Sequence, residues 1–140
     1  MDTNIIDYKG KNFQEYEIFR PRGIHLYHLA NMNGNRVGIA NLEYSKCFDW
    51  FFFNRLFIDD DFRGQGFANL ILKKVIGKAN EHQYKIYNQA VPYDESLNLE
   101  QLMTFYKKHG FKTIKENLMI FEPEIKKPNY DLQQSLTLNP

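Results

Sequence analysis

The run Arg63-Gly64-Gln65-Gly66-Phe67-Ala68 is the part of the chain best suited to chemistry. A strand-like stretch, Leu56-Phe57-Ile58, leads into it through Asp59-Asp60-Asp61-Phe62, and an apolar pattern of helical period follows it. The first turn of a helix leaves backbone N–H groups unpaired and carries a partial positive charge. Gly64 and Gly66 let the main chain turn tightly and come close to a phosphate, and Ala68 is small enough to keep that approach open. The expected product is an anion cradle for a phosphate or pyrophosphate. The run is not a dinucleotide fingerprint, because no third glycine and no ribose-binding acid are in place. Nor is it a P-loop, because Lys followed by Ser or Thr is missing. Taken alone, an ordinary strand-to-helix turn that needs glycine accounts for it equally well.

The elements that must position this run can be read from periodicity. Residues 24–30 alternate in a β-rich stretch, Asn33-Gly34-Asn35 reads as a hairpin turn, and residues 37–44 return as a second strand. Residues 47–58 read as a long third strand that contains Trp50-Phe51-Phe52-Phe53. Ala68, Leu72, Val75, Ile76 and Ala79 form one face of an amphipathic helix, with Lys73, Lys74 and Lys78 expected in water. Residues 84–91 read as a strand ended by Pro92. Leu99, Leu102, Met103 and Tyr106 then mark a second helix, with Asn98 and Gln101 spaced as a capping box and His109-Gly110 as its stop. Two short strands, 111–114 and 118–121, close the pattern. The order is β-β-β-α-β-α-β-β, with the strand after the first helix parallel to the one before it. Residues 1–22 stay unassigned apart from a short strand at Ile5-Ile6-Asp7-Tyr8.

The second run with chemical content is Phe105-Tyr106-Lys107-Lys108-His109-Gly110-Phe111. On its own, Tyr106 reads as a half-buried core residue with its hydroxyl at the surface. Together the two runs resemble the GNAT acetyltransferase superfamily. Its motif of Arg or Gln, two residues, Gly, one residue, then Gly or Ala is met by Arg63, Gly66 and Ala68. Its later aromatic pair and Gly-Phe are met by Phe105-Tyr106 and Gly110-Phe111. The resemblance covers roughly residues 23–121. It implies a GNAT-like α/β fold with a mixed, mostly antiparallel sheet and a reduced N-terminal helical region, since residues 1–22 have little room for the family's two front helices. It also implies a cytoplasmic enzyme that uses acetyl-CoA as co-substrate for N-acetylation. The pyrophosphate would sit on N–H groups from Phe62 or Arg63 through Gly64, Gln65, Gly66, Phe67 and Ala68. The pantetheine arm would pair with the edge of Leu56, Phe57 and Ile58, and Tyr106 would protonate the leaving thiolate.

The chain departs from the histone-type branch, which carries a basic glutamate where Phe52 stands. The remaining base candidates are Glu43, Asp49, Asp94, Glu95, His25 and His28, with water-relayed deprotonation as the alternative. The acceptor is an amine, either on a protein (a lysine or an N-terminus) or on a small molecule. A non-catalytic binding module on the same fold is the reading from a different class. The aromatic cluster at 50–53 is expected to be core on one face, with an acceptor surface or a homodimer interface as the competing roles.

Composition agrees with one domain, assigned to residues 1–122, followed by an extension at 123–140 that holds three of the five prolines. Hydrophobic content of 43% with 25% charged residues is that of a globular chain, and 16% aromatics favours strands. A net charge of +1 gives no indication of direct nucleic-acid binding. A lone Cys47 excludes an internal disulfide and points to a reducing compartment. The apolar run at 50–53 is far too short to span a membrane, and Asp59-Asp60-Asp61 reads as a solvated loop rather than a metal site.

Overall fold

The computed structural model describes residues 2–92 and 97–125. In chain order the elements are β1 Asp2–Tyr8, β2 Lys11–Phe19, β3 Ile24–Asn31, β4 Arg36–Ser45 and β5 Trp50–Ile58. A short 3-10 turn at Asp60–Phe62 follows, then α1 Phe67–His82, β6 Ile86–Gln89, α2 Leu99–Lys108, β7 Lys112–Lys115 and β8 Leu118–Phe121. The strands form one eight-stranded sheet, ordered β1-β2-β3-β4-β5-β6-β8-β7. Every neighbouring pair is antiparallel except β5 and β6, the parallel pair that flanks α1. The mixed, mostly antiparallel α/β fold is therefore as expected from the sequence. No described helix is long and apolar enough to cross a membrane.

The front of the chain departs from expectation, because residues 2–19 build a full β-hairpin on the edge of the sheet. Its two-residue turn, Lys9-Gly10, has both φ angles positive, the geometry that matches strand twist. Period-2 reasoning misses β2 because its inward set is mixed. Phe13 is buried and the Phe19 ring stacks near Phe51 and Tyr84, but Glu15 and Glu17 point inward between them. Both acids are paired. Glu15 accepts from Tyr27 Oη and meets Lys74 Nζ at 3.5 Å, while Glu17 meets His25 Nε2 at 2.8 Å and Lys78 Nζ at 3.3 Å. Two of the three α1 lysines expected in water are thus half-buried partners of β2, and only Lys73 is fully exposed.

Helix α1 buries Phe67, Ile71, Leu72, Val75 and Ala79, and it packs across β3, β4 and β5. Gly38 permits the close approach: a Cβ there would lie 2.7 Å from both Ile58 Cδ1 and Ile71 Cδ1. Helix α2 begins at the anticipated capping box, with Gln101 N donating to Asn98 Oδ1 at 2.8 Å and Asn98 N donating to Gln101 Oε1 at 3.0 Å. Several boundaries differ. The third long strand starts at Trp50, because Asp49 adopts φ +58° in the turn that closes β4 onto β5. The parallel strand shortens to Ile86–Gln89, and β7 lies one residue later than expected.

Burial alone would raise the Glu17 carboxyl, but the hydrogen bond from His25 and the charges of His25 and Lys78 outweigh it and hold the group below its usual 4.5. A carboxyl depressed in the folded state adds stability above its unfolded value and loses it as the pH falls through the folded one. Thermal unfolding followed between about pH 3 and 6 should therefore show melting temperature dropping with acid. Glu17→Gln should flatten that slope, whereas an unchanged slope would show that Glu17 does not couple to folding.

Candidate active site

Strands β5 and β6 pair only at Phe51↔Ile86 and Phe52↔Tyr87 and then separate. Strand β5 keeps its partner β4 along its whole length, with one register shift opposite Asn41 and Leu42. From Phe53 to Ile58 its other edge has no strand partner among the described residues. The gap opens into a cleft of about 810 Å³. One wall is Phe53 through Ile58, the floor at one end is Arg63, Gly64 and Gly66 through Asn69, and Asn88, Gln89, Leu102, Phe105 and Tyr106 face them.

The turn at the mouth of the cleft has the expected form. Gly64 has φ +76° and Gly66, the N-cap of α1, has φ +86°. The first bond of the helix runs from Leu70 N to Gly66 O, so the N–H groups of Phe67, Ala68 and Asn69 lie ahead of the ladder. Arg63 folds back. Its Nε donates to Ile58 O at 3.0 Å, its Nη2 lies 3.1 Å from Asp60 Oδ1, and its guanidinium covers the Phe57 ring. It braces the turn against the end of β5. Gln65 is exposed and its side chain stays outside the cleft, donating to Asp61 O at 3.3 Å.

The sequence carried no signal for the residues that hold this turn from the front. Tyr8 Oη donates to Gln65 O at 2.9 Å and Lys9 Nζ donates to the same oxygen at 3.1 Å. The Tyr8 ring also packs on Phe67, with centroids 5.0 Å apart. A Cβ at Gly66 would lie 2.5 Å from Tyr8 Oη. The glycine is therefore required twice, by its φ and by the hairpin.

Tyr106 lines the cleft beside Phe53, where β5 and β6 part. Its ring is 6% exposed and packs edge-on against Phe53 and Phe111. The two helices meet beside it, where His109 Nε2 lies 2.8 Å from Asn69 Oδ1. Burial, with Lys73 and Lys108 nearby, holds the His109 pKa below its usual value and favours the neutral ring. The base candidates are not gathered here. Glu43 is exposed on β4 opposite Phe52, and Asp49 is an exposed turn residue that accepts from Tyr44 Oη. His25 is fully buried between Tyr84 Oη and Glu17. His28 is half-buried against Tyr16, its pKa lowered by burial and by Arg36. None of these four lines the cleft. Asp94 and Glu95 lie outside the described residues, as does most of the 123–140 extension.

The two glycines should separate when replaced. Gly64→Ala has open space around its Cβ and should cost about 1 kcal/mol for the left-handed backbone alone. Gly66→Ala should cost about 1 kcal/mol more, because the Tyr8 hydroxyl must leave Gln65 O. Urea unfolding of the two variants measures the difference, and equal losses would remove the Tyr8 contact from the account.

With this geometry in hand, the chain can be set beside known proteins. Residues 6–120 match the family model described as an acetyltransferase (GNAT) domain. No curated protein matches the chain in sequence. Among solved structures, a GNAT family acetyltransferase from Elizabethkingia anophelis with acetyl-CoA bound is 23% identical. The match covers 71% of this chain and 76% of that one at a TM-score of 0.53. The ribosomal-protein-S18-alanine N-acetyltransferase from Escherichia coli is 17% identical over 79% of this chain and 76% of that one, with a TM-score of 0.59. The anti-CRISPR protein AcrVA5 is 19% identical over 71% of this chain and 99% of that one, with a TM-score of 0.55. These structures share the fold, and the family match spans most of the sheet, both helices and the whole of the cleft. The chain belongs to the GNAT acetyltransferase family.

Proposed function

We propose that the protein is an N-acetyltransferase that binds acetyl-CoA in the β5–β6 cleft and passes the acetyl group to an amine. The observation that carries this reading is the separation of β5 from β6 directly in front of the α1 N-terminus. Five residues separate Phe53 from Ile58, a strand length of about 17 Å. That length suits an extended arm whose phosphates rest on the N–H groups of Gly64 through Asn69. The edge of Leu56, Phe57 and Ile58 that β6 leaves uncovered offers main-chain hydrogen bonds to the arm's amides, apart from the Ile58 carbonyl that Arg63 already occupies. Bound acetyl-CoA supplies an acyl group activated as a thioester.

At the far end of the cleft Tyr106 is placed to give a proton to the departing thiolate. Glu43 and Asp49 take no part, since both stand outside the cleft. No described carboxylate or imidazole lines it, and we assign the acceptor's proton to water rather than to any described side chain. The acceptor we favour is a protein amine, a lysine or an N-terminus. No α-helix precedes α1 among the described residues, and the front of the chain extends the sheet sideways as a hairpin. The acceptor side is thereby left open to a bulky partner. By its name, the Escherichia coli neighbour acts on an alanine of a ribosomal protein, a precedent for this acceptor class on the same fold.

Calorimetric titration with acetyl-CoA, against desulfo-CoA and ATP as controls, tests the ligand. Saturable acetyl-CoA binding not shared by ATP is expected. Ala68→Glu sets a carboxylate in the floor of the cleft at a helix position that tolerates one, and it should abolish binding while leaving the fold intact. Normal binding by that variant would remove the cradle. Tyr106→Phe should slow turnover by about a hundredfold with little change in acetyl-CoA affinity. Undiminished turnover would take the proton-donor role from Tyr106.

A further inference from the structure

We propose that Asn88 Nδ2 donates a hydrogen bond to the carbonyl oxygen of the bound acetyl thioester, a role that rests on the acetyl-CoA reading above. Asn88 is only 5% exposed, its Nδ2 has no hydrogen-bond partner among the described residues, and it lines the cleft. A buried amide donor left unpaired is a cost that native proteins seldom carry. Asn88 lines the cleft, where a ligand can supply the missing acceptor. Its backbone is held in the β6–β8 ladder opposite Met119, a fully buried residue.

Position selects the partner atom. Tyr87↔Phe52 is the last pair that joins β6 to β5. Asn88 is the next residue, level with Phe53, at the vertex where the strands part. The Tyr106 ring meets Phe53 at the same level, with centroids 6.4 Å apart. Asn88 therefore shares its end of the cleft with the proposed proton donor and lies a β5 half-strand away from the phosphate turn. The ligand atom that meets it belongs to the acyl end.

Two atoms there gain charge, the thioester oxygen and the sulfur; the sulfur is served by Tyr106, and the oxygen is assigned to Asn88. As the amine nitrogen bonds to the carbonyl carbon, electron density moves onto that oxygen. It returns as the C–S bond breaks and the thiolate takes its proton. A donor fixed in a dry site favours the charged stage over the starting one.

The test is calorimetry of acetyl-CoA and of free CoA on the unmodified protein, Asn88→Leu and Asn88→Asp, with melting temperatures alongside. Asn88→Leu keeps the branched shape and removes an unpaired donor, so its melting temperature should hold or rise. Its acetyl-CoA affinity should fall about tenfold with CoA affinity unchanged. Asn88→Asp, which presents only acceptors to the carbonyl, should lose at least as much. Equal losses for both ligands would place the contact on the shared arm and overturn the assignment. Unchanged acetyl-CoA affinity in both variants would do the same. If Asn88→Leu fails to fold, Asn88→Asp decides. If the unmodified protein binds neither ligand, the acetyl-CoA reading falls and the assignment falls with it. If it binds acetyl-CoA, the two can fail separately.

Discussion

The architecture turns on one weak junction. Strand β5 is held to β4 along its full length, and β6 is held to β8 along all four of its residues, but the two strands are held to each other at two positions only. The sheet is in effect two pieces, each better paired internally than to the other. The seam between them opens where α1 leaves the end of β5. Backbone N–H and C=O groups on an open edge must be met by something, and in a partly apolar cleft a ligand meets them better than sparse water. The same feature that weakens the sheet leaves the main-chain edge that the proposed acetyl-CoA arm would use. The register shift in β5 opposite Asn41 and Leu42 falls inside this stretch and adds to the bend of the strand away from β6.

The front hairpin braces the glycine turn that leads into α1. In a trans peptide the C=O and the following N–H point opposite ways. Tyr8 and Lys9 both bind the carbonyl of Gln65 from the hairpin side. The N–H of Gly66 is thereby turned away from the hairpin, and Gly66 is one of the residues that floor the cleft. The hairpin thus orients a donor of the proposed cradle. The Tyr8 ring, packed on Phe67 at the first turn of α1, ties the same strand to the helix whose N-terminus completes the site.

The parts of this arrangement that were legible in the sequence are those with local causes. Glycines at a strand-to-helix turn, a capping box at Asn98 and Gln101, and apolar residues at helical spacing in α1 each depend on neighbours a few residues away. The front hairpin was illegible because Glu15 and Glu17 face inward, and their partners lie on β3 and α1. Tyr8 and Gln65 are 57 positions apart, so nothing local marks their bond. Asn88 left a faint trace, an amide that shares its face of the strand Ile86–Gln89 with the buried Ile86. Asp49 misled because the strand pattern runs through a turn whose backbone only the folded chain reveals.

The inward acids also bear on function, through the placement of α1. Hydrophobic packing of Phe67, Ile71, Leu72 and Val75 holds the helix against the sheet, but such packing is non-directional. The paired charges supply a ruler along the helix axis. Lys74 and Lys78 are separated by a rise of about 6 Å on a helix, and Glu15 and Glu17 by about 6.6 Å on a strand. Two lysines four apart thus meet two glutamates two apart with almost no mismatch. Sliding α1 by one turn would break one of these pairs and leave a half-buried carboxylate without its cation, a larger loss than an exposed pair would bring. Because α1 begins at the Gly64–Gly66 turn, the register of this seam is also the distance from the helix N-terminus to the end of β5, the dimension on which the cleft depends.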